Sequence, residues 1–317
     1  MRLIHQLWRR KNITMSGLHI LWNPVAGNGL SVRVCAEVCA ALDSRGIPFT
    51  ISKSAYPGHA VELTKSAVNE GCERILALGG DGTVREVAMG LYQTNIPMAI
   101  IPCGTGNDIS RPLHIPKDVM QALDVALNGT PRRMDAGLAN DELFFNVAGF
   151  GFDVDVLDYT EIYKKKCKNG SLAYLRGLVR AIAGRKDRKT VITWPEGRME
   201  KNVLLMSAGN GTHIGGGMMV TPLADPFDGL LDICVIHDVK WYSFFTMVAK
   251  FVKGKHLGSK YVTYFRTTEL TAVCDPVSRL DIDGEVVPGT PAADTGKRGR
   301  GQHDPKGRRK PGDQEAS

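Results

Sequence analysis

A chain of 317 residues with 43% hydrophobic, 23% charged and 7% aromatic side chains can bury a sizeable core, which excludes a disordered or collagen-like protein and makes two domains the expectation. Its net charge of +7 sits at the ends: residues 1–16 carry four basic side chains and no acid, residues 291–317 carry seven basic and four acidic ones, and the body between them is neutral. A nucleic-acid binder would keep its basic stripe on the folded domain, so that partner class is disfavoured.

Residues 1–16 read as a basic extension whose LIHQLWRRK offers an amphipathic contact. From residue 18, short apolar runs alternate with helical periodicity: HILWNP, Val32 to Leu42, PFTISKS, Ala60 to Val68, RILALGG, Val84 to Leu91, MAIIP. This βαβα rhythm predicts a parallel sheet covered by helices over residues 17–134. Glycine clusters at 27–29, 79–82 and 104–106 follow three of the strands. Open α/β sheets bind ligands outside the carboxyl ends of their strands, so three Gly-rich turns on one edge point to one site.

After about Asp135 strands follow one another: LFFNVAGFGF, KTVITW, NVLLMSAGN, LLDICVIH, YVTYF, ELTAVC and RLDIDGEVV. They predict an α/β protein whose second domain, residues 135–290, is an antiparallel, β-sandwich-like sheet. One helix is expected there, Ser171 to Ala183, with Leu172, Leu175, Leu178, Val179 and Ile182 on one face. Around it, residues 161–189 hold ten Lys or Arg against two acids, either a solvated face or a surface for anionic headgroups. On the second reading, replacing Lys164, Lys165 and Lys166 with Gln weakens binding to anionic vesicles. Residues 291–317 contain no aliphatic side chain larger than alanine and are expected to be a disordered basic tail.

No run of about 18 uncharged apolar residues occurs, and the N-terminus lacks the apolar stretch and cleavage site of a signal peptide. The seven cysteines are an odd number without C-x-x-C spacing, as reduced thiols would be. Both features predict a cytoplasmic protein.

The residues that carry chemistry lie in the glycine turns. LALGGDGT (76–83) ends a strand and opens a helix, so its amides and the helix N-terminus can face a phosphate, with Asp81 holding Mg²⁺ or an ordered water; the same residues also make a tight turn. PCGTGNDISR (102–111) repeats the design, with Thr105 supplying a hydroxyl and Asn107 or Asp108 able to cap a helix. Asn23 in WNPVAGNG reads as the start of an Asn-Pro turn, PFDG (226–229) as a type I turn, and Asp283-Gly284 as a hairpin. There is no G-x-x-x-x-G-K-[ST], no H-R-D or D-F-G element and no spaced G-x-G-x-x-G.

Asn23-Pro24 with Gly27, GGDGTVREV (79–87), PCGTGNDISR (102–111), MDAGL (134–138), NVAGFGFD (146–153), GNGTHIGGGMMVTPLADPFDGLLDICVI (209–236) and DGE (283–285) form a series. In order and approximate spacing it resembles the soluble lipid kinases with a diacylglycerol kinase catalytic domain. That family includes sphingosine and ceramide kinases and is distantly related to NAD kinase. The resemblance covers residues 18 to about 290. It implies that Asn23, Gly80, Asp81, Gly82, Thr83, Gly104 and Thr105 line an ATP site, with Asp81, Asn107 and Asp108 in its magnesium network. A structural Mg²⁺ is implied on the Asp228 carboxylate and the carbonyls of Asp225 and Leu230. Asp283 is implied as general base toward the lipid hydroxyl, with Glu285 on the nucleotide side.

The expected activity is transfer of the γ-phosphate of ATP to a lipid hydroxyl, diacylglycerol first, by an enzyme in peripheral contact with the inner membrane face and able to form a homodimer. The rivals are an NAD kinase-like phosphotransferase and a catalytically silent lipid- or nucleotide-binding module. One departure stands out: family members continue past D-G-E with a further apolar strand, whereas here the basic tail follows, which predicts an unpaired sheet edge.

Overall fold

In the computed structural model, residues 17–165, 170–184, 187–289 and 293–297 are described. The N-terminal sheet consists of β1 (Leu18–Trp22), β2 (Phe49–Lys53), β3 (Arg74–Gly79) and β4 (Met98–Pro102), all parallel in the order β2-β1-β3-β4. Its central strands are apolar on both faces, because helices cover both. Leu18, Ile20, Leu76 and Leu78 point to α1 (Leu30–Ser44) and α4 (Val119–Asn128). Leu21, Ile75 and Ala77 point to α2 (His59–Asn69) and α3 (Asp81–Leu91). Alternate residues of one strand thus serve two cores, as a doubly covered parallel sheet requires.

The C-terminal sheet is antiparallel throughout. Its strands are β5 (Gly137–Ala139), β6 (Glu142–Phe144), β7 (Val147–Gly151), β8 (Arg188–Trp194), β9 (Gly197–Gly209), β12 (Leu231–His237), β13 (Val262–Thr267), β14 (Glu269–Asp275), β15 (Leu280–Ile282), β16 (Glu285–Val287) and β17 (Ala293–Lys297). The order runs β16-β15-β7-β9-β8-β14-β17-β5-β6, with β12 pairing both β9 and β13. A separate two-stranded ribbon, β10 (His213–Ile214) with β11 (Met218–Met219), carries a glycine turn at its tip. Phe144, Phe150, Ile192, Met206, Leu231 and Ile282 fill one face of the large sheet.

The other face is covered by three helices where one was expected: α5 (Phe152–Lys164), α6 (Gly170–Ala183) and α7 (Phe244–Val252). Two escaped prediction for local reasons. FDVDVLD alternates like a strand, and FFTMVAKFV is only nine residues long, shorter than the window in which a helical period is read.

A second correction concerns the tail. Ala293–Lys297, inside the segment expected to be disordered, forms β17 between β14 and β5, with Thr271 opposite Asp294 and Thr295 opposite Ala139. A strand with neighbours on both sides is held by two ladders of main-chain hydrogen bonds, so it needs no apolar side chain. The expected unpaired edge is therefore filled, by a polar strand where the family pattern has an apolar one. The 1–16 extension and residues 298–317 lie outside the described residues.

Candidate functional site

The three glycine turns meet at the carboxyl ends of β1, β3 and β4. Asn23 leaves β1 with its N–H donated to Leu78 O at 3.1 Å, its side-chain amide donated to Thr83 Oγ1 at 3.0 Å, and its Oδ1 accepting Val25 N–H at 3.1 Å. Gly27, at φ +61°, passes the Cys103 carbonyl so closely that a Cβ there would overlap it. Gly80 and Gly104 touch backbone to backbone: a methyl group on Gly104 would overlap the Gly80 Cα. Gly80, extended, precedes α3, and Gly82 and Thr105 are exposed at the rim. The free amides of a helix N-terminus and of an adjacent glycine loop thus open on one side, an arrangement that binds phosphate.

The polar residues of these loops hold them together. Asp81 Oδ1 accepts Ile109 N–H at 3.1 Å. Burial raises its carboxyl above the usual range, the amides of Ile109, Asp108 and Asn107 pull it back down, and the neighbouring Asp108 charge raises it again. Asn107, at φ +52°, spends its side chain on Gly104, accepting that residue's N–H and donating to its carbonyl, each at 2.9 Å. Asp108 reaches across to the other domain, where its Oδ2 accepts Gly216 N–H from the glycine turn of the β10–β11 ribbon at 2.7 Å. Its Oδ1 lies 3.4 Å from Arg111 Nε, and burial is the first cause raising its carboxyl. Asp81 and Asp108 are therefore two crowded, poorly solvated carboxylates beside the phosphate cradle.

Asp283 stands on the far side of the domain seam, at φ +53° in the β15–β16 hairpin. Its Oδ2 accepts Phe145 N–H at 2.8 Å and its Oδ1 accepts the N–H groups of Asn146 and Val147, both at 2.9 Å. Arg85 Nε lies 3.8 Å away. Burial pushes the Asp283 carboxyl up to about 6, against the three amides and Arg85, which lower it. A carboxylate has about four acceptor sites, and three are taken; the fourth, on Oδ2, leaves room for one more donor.

Arg85, absent from the expected site, also links the halves. It sits one helical turn beyond the Gly80–Thr83 loop, its side chain is buried, and it donates from Nη1 to Glu285 Oε2 at 2.6 Å while facing Asp283. The signal for it was an arginine on the otherwise apolar face of α3 that carries Val84 and Val87.

Also unforeseen is the pairing of Asp281 with Asp153. Both carboxyls are raised, first by burial; the Asp153 charge then raises Asp281 further, and the Asp155 charge raises Asp153. Asp281 keeps its proton in the fold to a higher pH than in the unfolded chain, so the fold loses stability as pH rises from the ordinary aspartate range through the raised value. Asp281→Asn retains the acceptor for Gly284 N–H, 2.8 Å from Oδ1, and cannot ionise. We expect its melting temperature at pH 8 to exceed the wild type's, by about 2–4 °C for each kcal/mol gained, and to match it near pH 4. Equal shifts at both pH values would assign the effect to hydrogen bonding.

Asp225, Asp228 and Leu230 do share one turn, but it closes on itself. Asp225 Oδ1 accepts Phe227 N–H at 3.0 Å, Asp228 Oδ1 accepts Leu230 N–H at 2.9 Å, and Asp135 Oδ2 accepts Gly229 N–H at 2.8 Å. Arg266 Nη1 stands 3.9 Å from Asp228 Oδ2. Each turn carboxylate accepts an amide through Oδ1, and the structure brings the three expected ligands together in this one turn.

Two family models match the chain: the diacylglycerol kinase catalytic domain over residues 17–139 and the YegS C-terminal NAD kinase beta sandwich-like domain over residues 146–299. A diacylglycerol kinase of Bacillus subtilis is 27% identical over 86% of this chain and 90% of its own length. The protein named "Probable lipid kinase YegS-like" of Chromohalobacter salexigens is 30% identical over 83% of this chain and 86% of its own length. Among solved structures, a Bacillus anthracis protein assigned as a diacylglycerol kinase superposes with a TM-score of 0.73 at 25% identity, covering 89% of this chain and 94% of that one.

Proposed function

Since the chain belongs to the lipid kinases that join a diacylglycerol kinase catalytic domain to a YegS-type C-terminal domain, we propose that it transfers the γ-phosphate of ATP to the hydroxyl of a membrane lipid, diacylglycerol first. One observation carries the reading. A buried carboxyl poised near 6 lies across the domain seam from a three-loop phosphate cradle, joined to it by Arg85.

The amides of the Gly80–Thr83 turn and of Thr105 would hold the ATP phosphates, and Asn23 keeps Thr83 in register with them. The lipid hydroxyl donates to the open site of Asp283 Oδ2. As its oxygen bonds to the γ-phosphorus and the bond from that phosphorus to the bridging β–γ oxygen breaks, its proton passes to Asp283, leaving ADP and a phosphorylated lipid. Positioning and charge neutralisation do most of the work in such transfers. Glu285 completes the seam by holding Arg85.

Asp81 and Asp108 fit Mg²⁺, a hard cation held by one or two carboxylates together with substrate phosphates, and it would neutralise charge between them and the triphosphate. Asn107 serves that region by shaping the loop.

Two acceptors separate this reading from its rivals. With MgATP, radiolabel is expected in phosphatidic acid from mixed micelles of diacylglycerol. Transfer to NAD instead would favour an NAD kinase-like enzyme, and nucleotide binding without transfer to any acceptor a silent module.

A further inference from the structure

Helix α6 is built with its sizes reversed. Its buried side carries Ala173, Gly177 and Ala181, at four-residue spacing, and a Cβ on Gly177 would overlap the Thr160 hydroxyl of α5. The small residues thus let α5 and α6 approach closely, while Leu175 and Val179 are 54% and 60% exposed. The same stripe runs on to Ile182, which packs into the core cluster containing Phe244 and Met247 of α7. α7 repeats the pattern: Phe244, Met247 and Phe251 turn inward, whereas Phe245 is 68% and Val252 46% exposed. A helix apolar on both faces needs a cover for the second, and exposed apolar side chains on two helices that share one core cluster are of the kind that marks an interaction surface.

Charge selects what covers it. Residues 161–189 carry ten basic and two acidic side chains, and residues 239–260 carry five lysines and no acid. Lys165, Arg176, Lys250 and Lys253 are exposed around the stripes. Among the described residues α6 and α7 carry Arg176, Arg180 and Lys250 and no acid, so this face is a positive pole of the molecule. A second copy of the chain would bring two such poles together, which is repulsive; an anionic bilayer is complementary to both the charge and the grease.

We infer that α6 and α7 form the face by which the protein enters an anionic membrane, with Leu175, Val179 and Phe245 sinking into the acyl boundary and the surrounding Lys and Arg contacting headgroup phosphates. The inference deepens the lipid kinase reading and rests on it for its purpose, though not for its test. It differs from the expectation drawn from basic residues alone, because binding of this kind survives salt in part and depends on apolar side chains.

The experiment is co-sedimentation with vesicles of equal parts phosphatidylglycerol and phosphatidylcholine, at low and high salt, for wild type, Leu175→Ser/Val179→Ser and Phe245→Ser. Each replaced side chain is expected to weaken partitioning about tenfold, with melting temperatures unchanged because the three are exposed. Sedimentation that salt abolishes and the serine variants leave intact would overturn the inference, as would loss of a concentration-dependent dimer with no change on vesicles. A second readout separates this inference from the kinase reading. Variants that leave vesicles yet phosphorylate a water-soluble short-chain diacylglycerol at the wild-type rate support both. Vesicle binding that responds as expected, with no lipid phosphorylated by any form, upholds the docking face and rejects the kinase.

Discussion

Asp283→Asn is expected to lower phosphoryl transfer to the lipid by about 10²–10⁴-fold while ATP affinity stays within a few-fold. The asparagine has nearly the same shape, and its Oδ1 can still accept the N–H groups of Asn146 and Val147, each 2.9 Å from the native Oδ1. Only the Phe145 N–H, 2.8 Å from Oδ2, loses its acceptor, which costs on the order of 1–3 kcal/mol, offset by no longer burying an ionisable group. Alanine would strip acceptors from all three amides and confuse catalysis with folding. What asparagine cannot do is take the proton of the alcohol. Steady-state kinetics with calorimetric titration of a non-hydrolysable ATP analogue checks the split, and turnover at the wild-type rate would remove Asp283 from the chemistry.

The same residue sets a pH limb. Burial holds the Asp283 carboxyl up to about 6 in the fold, so the base form is present above that value and is lost as pH falls through it. kcat/KM is expected to fall along a one-proton limb below pH 6, and the residual rate of Asp283→Asn to lack it. Asp281 and Asp153 are two further buried carboxyls raised above the usual range, and Asp281→Asn provides the control that keeps the limb.

Asp283 was found by resemblance, because a lone Asp-Gly between alternating apolar residues is an ordinary hairpin signal. What tunes its carboxyl is burial, which raises it, against Phe145, Asn146, Val147 and Arg85, which lower it, all far away in the chain. The glycine turns were legible for the opposite reason: each follows its own strand, and strand ends of a parallel sheet share one edge. Arg85 was visible as a letter but not as a bridge, since its partners lie two hundred residues on. Nor does sequence reveal that Asp81, Asn107 and Asp108 spend hydrogen bonds on Ile109, Gly104 and Gly216, a matter of which amides fold back within reach. The exposed stripe of α6 was read correctly as one apolar face; which face the protein buries depended on the hydroxyl of Thr160 and the missing side chain of Gly177.

Gly104→Ala tests whether the two central loops act as one cradle. In the native protein Gly80 and Gly104 approach so closely that the new methyl would overlap the Gly80 Cα, and it would also stand 2.9 Å from Asn107 Oδ1, the acceptor that closes the 104–107 loop. Neither neighbour yields cheaply: one is backbone at the head of α3, and the other is a side chain with both ends already hydrogen-bonded. The loops must separate, carrying their amides away from a common phosphate. ATP affinity is expected to fall at least about tenfold and stability by about 1–3 kcal/mol, the usual range for an overpacked contact. Gly82→Ala is the comparison for stability, since an added Cβ there meets nothing within 4 Å and alanine suits a helix better than glycine; its melting temperature is expected to hold or rise. A Gly104→Ala protein that melts like the wild type and binds ATP as tightly would mean that the amides of these two turns serve the nucleotide independently, and that contact between them is packing alone.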